Sequence, residues 1–168
     1  ENVLIRGNGY LALADFGATV ETGEDRIVVV GPPALEGVDL DCTGFPDAAV
    51  ALAALGAIAK GTTRLTGLGT LRVKESDRIA ALAIELRKIG CEVVEAPDSI
   101  EIDPPRERGR FRGTRRIGTW DDHRIAMSFA ILGTLLGDIE IEDPGCVAKS
   151  HPGFWTELEG LVGRGASG

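Results

Sequence analysis

Strand-like and helix-like stretches follow one another along this chain in an order that repeats: strand, helix, strand, helix, then a closing pair of strands. Each unit therefore reads as βαβαββ in order, a mixture of short strands and helices. The spacing marks units of roughly 60 to 70 residues. On that spacing the 168 residues read as a single domain with a partial repeat over 1–35, a second over 36–104 and a third over 112–168.

In the first repeat an apolar run at Val3, Leu4 and Ile5 precedes a short helix near 11–16 and a hairpin-like stretch over 18–30, which Gly31, Pro32 and Pro33 end. In the second, 38–45 alternates like a strand, Pro46 opens a helix running to Lys60, and Gly61 stops it before a strand-like 62–67. A helix over 75–89 then sets Ile79, Leu82, Ala83, Leu86 and Ile89 on one stripe with charges opposite, so one of its faces is packed. Gly90 ends it, and strands at 91–95 and 99–102 follow. The third repeat has a strand near 115–119, an apolar helix over 122–136, a strand at 138–142 and a helix near 154–162.

A net charge of -8 makes a surface that tracks nucleic-acid phosphates improbable, so any anion site must be local. The Arg-rich stretch 104–113 interleaves Glu107 and holds a single aromatic, and reads as a solvated turn. Cys42, Cys91 and Cys146 form no CxxC pair, which suggests neither a zinc site nor a disulfide framework, and fits a reducing cytoplasm. The apolar stretches 48–59 and 125–136 fall short of the roughly 18 residues of a membrane span. No secretory leader is expected, and a start at Glu1 reads as a cut from a longer chain. No Walker loop, GxGxxG fingerprint or GxSxG elbow is present.

Charge placement is the local anomaly. Lys74 and Arg78 flank the start of one helix, and His123 with Arg124 opens another. Helix N-termini carry partial positive charge, so cations there are unfavourable by about 0.3 to 1 kcal/mol each. Breaking that rule twice at equivalent positions points to an anion, phosphate or carboxylate, held by backbone N–H groups and side chains together. The bland reading of Arg78 is a solvated partner of Asp77 and Glu85 on its own helix. Asp47 follows Pro46 in the first turn of an otherwise apolar helix; Glu75 sits between Lys74 and Arg78, a setting suited to proton transfer. His123 adjoins Asp121 and Asp122, whose carboxylates would orient its ring, and Lys149 lies in a turn leading to the last helix.

Four strings carry a resemblance: PDAAVALAALGAIAKGTT from Pro46, LRVKESDRI from Leu71, TWDDHRIAMSFAILG from Thr119 and DPGCVAKSHPGFW from Asp143. In order and spacing they resemble the EPSP synthases, over essentially the whole chain. The resemblance implies two similar domains of three βαβαββ-type units each, in an inside-out α/β arrangement with helix N-termini facing a cleft. This chain would be a fragment of the C-terminal domain, with the N-terminal domain of the same enzyme as its missing partner.

Further implications are transfer of the enolpyruvyl group of phosphoenolpyruvate to the 5-hydroxyl of shikimate 3-phosphate, in aromatic amino acid and chorismate biosynthesis, without metal or organic cofactor. Carried to matching positions, Asp47 handles the 5-hydroxyl proton and contacts substrate, Lys74 contacts the phosphorylated shikimate, and Glu75 exchanges the proton of the phosphoenolpyruvate methylene. Arg78, Arg124 and Lys149 would clamp the phosphoenolpyruvate carboxylate and phosphate, with His123 positioning. His151 departs from the Phe common after the Lys-Ser pair. Competing readings are an enolpyruvyl transferase with a UDP-sugar acceptor, and a noncatalytic anion-binding module.

Overall fold

A computed structural model describes residues 9–106 and 113–165. The expected strand at Val3 to Ile5 and most of the Arg-rich turn lie outside the described residues. The chain divides into two compact units, Glu1–Arg106 and Glu107–Gly168.

The first unit opens with a short 3-10 helix, Tyr10–Ala14, and an antiparallel hairpin of β1, Thr19–Thr22, and β2, Ile27–Val30. The β-branched Thr, Val and Ile of both strands favour extension, and Gly23 closes the turn by donating to the Arg26 carbonyl at 2.8 Å. The βαβαββ order follows: β3, Asp39–Asp41; α1, Ala49–Gly56; β4, Thr63–Thr66; α2, Arg78–Lys88; β5, Glu92–Ala96; and β6, Ser99–Asp103. These four strands form one sheet in the order β3-β4-β6-β5. The β3-β4 pair is parallel, which requires a crossover, and α1 supplies it. The β5-β6 hairpin then adds to β4 antiparallel through β6.

The expected stripe is the core. Ile79, Leu82, Ala83, Leu86 and Ile89 have no exposed surface, and they share the interior with Leu65, Leu68, Leu71, Ile100 and Ile102. Each of the Leu and Ile side chains stabilises the fold by roughly 1.5–3 kcal/mol on burial. Gly90, at φ +90°, ends α2: it donates to the Arg87 carbonyl while Cys91 donates to that of Leu86, the paired bonds of a Schellman motif.

All three helix expectations in this unit need correction: the one near 11–16 is the 3-10 helix Tyr10–Ala14. The helix from Pro46 is a 3-10 turn, Pro46–Ala48, running into an α-helix that ends at Gly56, short of Lys60. The chain leaves the helix because Lys60 must reach Glu36, where its N–H donates to the Leu35 carbonyl and its carbonyl accepts from Gly37, both at 2.7 Å. The helix expected from Glu75 begins at Arg78, because the Asp77 side chain takes the N-cap and accepts from the Ala80 N–H at 3.0 Å.

In the second unit β7, Arg115–Ile117, pairs parallel with β8, Ile139–Ile141, across the helix α3, His123–Leu136. A 3-10 segment, Pro144–Lys149, leads to α4, Phe154–Gly165. Ala126, Ala130, Val147 and Phe154 form its core, with Met127, Ile141, Trp155 and Leu158 packed against them. The Trp155 indole N–H donates to the Pro144 carbonyl at 3.1 Å and ties α4 to the preceding turn.

Cys42 and Cys91 are buried and Cys146 is half-buried; all three are free thiols. Burial pushes the Cys42 thiol up to about 12, with help from the Asp41 charge, and burial alone does the same to Cys91. Both should resist a thiol reagent at pH 8 in the native protein, leaving Cys146 to react. Between the ordinary value of 9.0 and about 12, the unfolded chain gives up thiol protons that the folded chain keeps, so stability falls as pH rises through that window. Fast labelling of two or more native thiols contradicts this assignment.

Candidate active site

In the first unit β3 runs into a loop whose shape is fixed before it reaches the helix. Asp41 Oδ1 accepts from the Thr43 N–H at 2.9 Å and from its hydroxyl at 2.6 Å. Those bonds, the hydroxyl's first, hold the Asp41 carboxyl below the usual carboxylate range. Gly67 backs the loop at φ +73°, where an added Cβ would lie 2.2 Å from the Thr43 hydroxyl oxygen. Pro46 then starts the 3-10 turn and sets Asp47 in it.

Opposite stands the bend that joins the 3-10 helix Gly69–Val73 to α2, and it holds Lys74 and Glu75. Arg78 begins α2, and a first-turn side chain leans back past the helix start. Its Nη1 donates to Asp47 Oδ1 at 2.8 Å and its Nη2 to Glu75 Oε2 at 2.7 Å. Lys74 Nζ lies 3.3 Å from the same Asp47 oxygen. The Arg78 side chain is 1% exposed, whereas those of Asp47 and Glu75 are 39% and 38% exposed. A buried guanidinium thus lies beneath two carboxylates that reach solvent, with an ammonium beside them. Guanidinium suits this place, because it stays charged and its fork serves two acceptors at once.

The bland reading of Arg78 does not hold. Its side chain is 1% exposed rather than solvated, and Asp77 pairs with Arg72 at 3.0 Å. The Arg78 Nη1 bond to Asp47 spans 31 positions of the chain.

In the second unit, Trp120 and Asp121 both adopt positive φ, 58° and 52°, so the backbone doubles back just before α3. Asp122 is fully buried and caps the helix, its Oδ1 accepting from the Arg124 N–H at 2.9 Å. His123 and Arg124 are the first two helical residues and are half-buried. Lys149, the last residue of the 3-10 segment, donates through Nζ to the Asp121 carbonyl at 3.0 Å. Its partner is therefore the reversed backbone beside His123 and Arg124. Nothing in the sequence marks that bend, since neither Trp120 nor Asp121 is glycine. His151 Nε2 lies 3.3 Å from Glu157 Oε2, so the departure from Phe pairs with the following helix.

A sequence model of the family described as EPSP synthase (3-phosphoshikimate 1-carboxyvinyltransferase) matches residues 5–158. The chain belongs to the EPSP synthase family. Among its relatives, the 3-phosphoshikimate 1-carboxyvinyltransferase of Cupriavidus necator is 43% identical over 156 residues, covering 90% of this chain and 36% of that protein. The enzyme of that name from Shewanella amazonensis is 41% identical over 151 residues, covering 90% and 34%. EPSP synthase from Acinetobacter baumannii matches in structure with a TM-score of 0.77 and 30% identity, over 94% of this chain and 39% of that one. The enolpyruvyl transferase NikO of Streptomyces tendae matches with a TM-score of 0.72 at 21% identity, over 95% and 36%, and speaks for the fold alone. The chain thus spans about a third of the length of the curated relatives it matches. The fold is the mixed α/β fold of EPSP synthases and enolpyruvyl transferases, as the repeated strand and helix pattern and the four strings led us to expect. Among the described residues no group of three or more His, Cys, Asp or Glu is placed to hold a metal ion, and no helix is long and apolar enough to cross a membrane.

Proposed function

We propose that this chain supplies part of the catalytic machinery of a cytoplasmic EPSP synthase, which joins phosphoenolpyruvate to shikimate 3-phosphate in the pathway to chorismate and the aromatic amino acids. The observation that carries the reading is the buried Arg78 between two half-exposed carboxylates, within the KESDR string of a member of this family. The reaction needs one group to move a proton at the phosphoenolpyruvate methylene and another to take the proton of the 5-hydroxyl. Glu75 has the first role and Asp47 the second. The methylene carbon gains a proton, the 5-hydroxyl oxygen bonds to the cationic C2, and Asp47 takes the hydroxyl proton. The tetrahedral adduct then loses phosphate, and loss of a methyl proton restores the methylene.

Lys74 binds the phosphorylated shikimate as a point charge, and Arg78, Arg124 and Lys149 bind the carboxylate and phosphate of phosphoenolpyruvate, with His123 in a positioning role. Fixed cations facing developing negative charge supply much of such an acceleration, because they need no reorganisation during the reaction. We further read the chain as part of the C-terminal domain, with repeats over 1–35, 36–104 and 112–168, and with the enzyme's N-terminal domain as its partner.

The test is phosphate release from phosphoenolpyruvate by a polypeptide of the relatives' full length carrying these 168 residues. Release that requires shikimate 3-phosphate, and none with a UDP-sugar acceptor, supports the reading. Release only with the UDP-sugar, or phosphoenolpyruvate binding without turnover, contradicts it. The 168 residues alone should show no turnover, since they span about a third of the relatives' length; measurable release by them overturns that part.

A further inference from the structure

Lys74 and Glu75 sit in a bend outside any helix or strand, so no ladder of backbone hydrogen bonds holds them. The motif that contains them also holds Arg72 and Asp77, to which the reaction gives no task. Arg72, at the end of the 3-10 helix Gly69–Val73, uses all three of its side-chain nitrogens. Its Nη1 donates to both carboxylate oxygens of Asp77, at 3.1 and 3.0 Å. Its Nη2 donates to the Ala96 carbonyl at 2.6 Å and its Nε to the Pro97 carbonyl at 3.3 Å. Ala96 ends β5 and Pro97 begins the turn to β6, and that turn also holds the start of the 3-10 helix, since the Leu68 N–H donates to the Asp98 carbonyl at 2.8 Å. Asp77 in turn caps α2. One guanidinium therefore fastens both ends of the bend, before Lys74 and after Glu75, to each other and to the rigid hairpin.

We propose that Arg72, anchored on the β5-β6 turn and clamped to Asp77, is a positioning residue that sets Lys74 and Glu75 for proton transfer. This rests on the reading of Glu75 and Lys74 given above. Arg72 touches no reacting atom in that reading and acts through the bend alone. Its bonds need a planar fork with several donors, so lysine keeps the charge without the geometry.

The experiment uses the full-length polypeptide with Arg72→Ala, Arg72→Lys, Asp77→Asn and, as control, Arg64→Ala, which breaks only an exposed pair with Asp39. Displacing a catalytic group by about 1 Å costs on the order of 100-fold. We expect that loss in kcat for Arg72→Ala, with KM moving less, and no rescue by Arg72→Lys. Asp77→Asn retains the cap, since Asn also serves at that position, but loses the charged partner, and its kcat should fall with little change in thermal midpoint. Hydrogen exchange in the same variants should quicken over 68–81, where the amides of Leu68, Leu71 and Ala81 are hydrogen-bonded, and stay unchanged elsewhere. Unchanged kcat in Arg72→Lys, or exchange that quickens across the whole chain, overturns the proposal. If the parent polypeptide transfers to no acceptor, the functional reading fails separately; exchange over 68–81 then decides the clamp, and an unchanged rate there overturns it.

Discussion

Glu75→Gln in the full-length polypeptide should lower kcat for enolpyruvyl transfer by about 10²–10⁴-fold, the range general acid-base groups supply, while the protein stays folded. Gln has the shape of Glu, and its amide oxygen can accept the hydrogen bond that Arg78 Nη2 donates at 2.7 Å. What it cannot do is take and return a proton. The stability cost is small because Glu75 is 38% exposed and its ion pair is screened, so a loss of about 1 kcal/mol or less is expected. Steady-state rates and a thermal melt on one preparation separate the two effects. A variant that turns over at the parent's rate removes Glu75 from the chemistry.

Arg78→Ala should cost both stability and activity. Its side chain is 1% exposed and bridges Asp47 and Glu75. Removing it leaves a gap at the start of α2 and two carboxylates facing one another with Lys74 as the nearby cation. Hydrogen bonds to charged groups contribute roughly 1.5–3 kcal/mol each. Breaking a buried pair by removing one partner costs about 3–5 kcal/mol, and the half-exposed carboxylates reduce that figure here. A loss of about 2–4 kcal/mol follows, seen as a fall in melting midpoint on the order of 10 °C. Arg78→Lys keeps a charge but not the fork, so it should recover part of the stability and little of the turnover. A melting midpoint unchanged in Arg78→Ala would mean that the bridge contributes nothing to the fold.

The contrast between Arg78 and its own helix explains what the sequence disclosed. The stripe from Ile79 to Ile89 was legible because helical periodicity and burial are the same fact seen twice, and Gly90 because a left-handed helix end favours glycine. The start of α2 was not: Asp77 took the cap, and the helix began at Arg78, three residues later than expected. Which of several polar residues caps a helix depends on side-chain geometry and, here, on the pairing of Asp77 with Arg72. The depth of Arg78 was hidden for another reason. Arg78 bonds to Asp47, and a contact across 31 residues leaves no trace in local spacing. Positive φ at Trp120 and Asp121 was equally silent, because strain at residues with side chains is paid for by surrounding structure. Cations at two helix starts drew attention to the strings that carry the resemblance, and the resemblance is what assigns those residues the chemistry proposed above. The structure adds that, in the first unit, the cations are held by carboxylates assigned to the same reaction.

Turnover in deuterium oxide tests the central claim most directly, with the full-length polypeptide, phosphoenolpyruvate and shikimate 3-phosphate, and the product methylene read by proton NMR or mass. If Glu75 delivers and removes the methylene proton, the parent incorporates solvent deuterium at that carbon, and Glu75→Gln both incorporates it and releases phosphate about 10²–10⁴-fold more slowly. Product formed by the parent without deuterium, or deuterium incorporated equally by Glu75→Gln, would contradict the account.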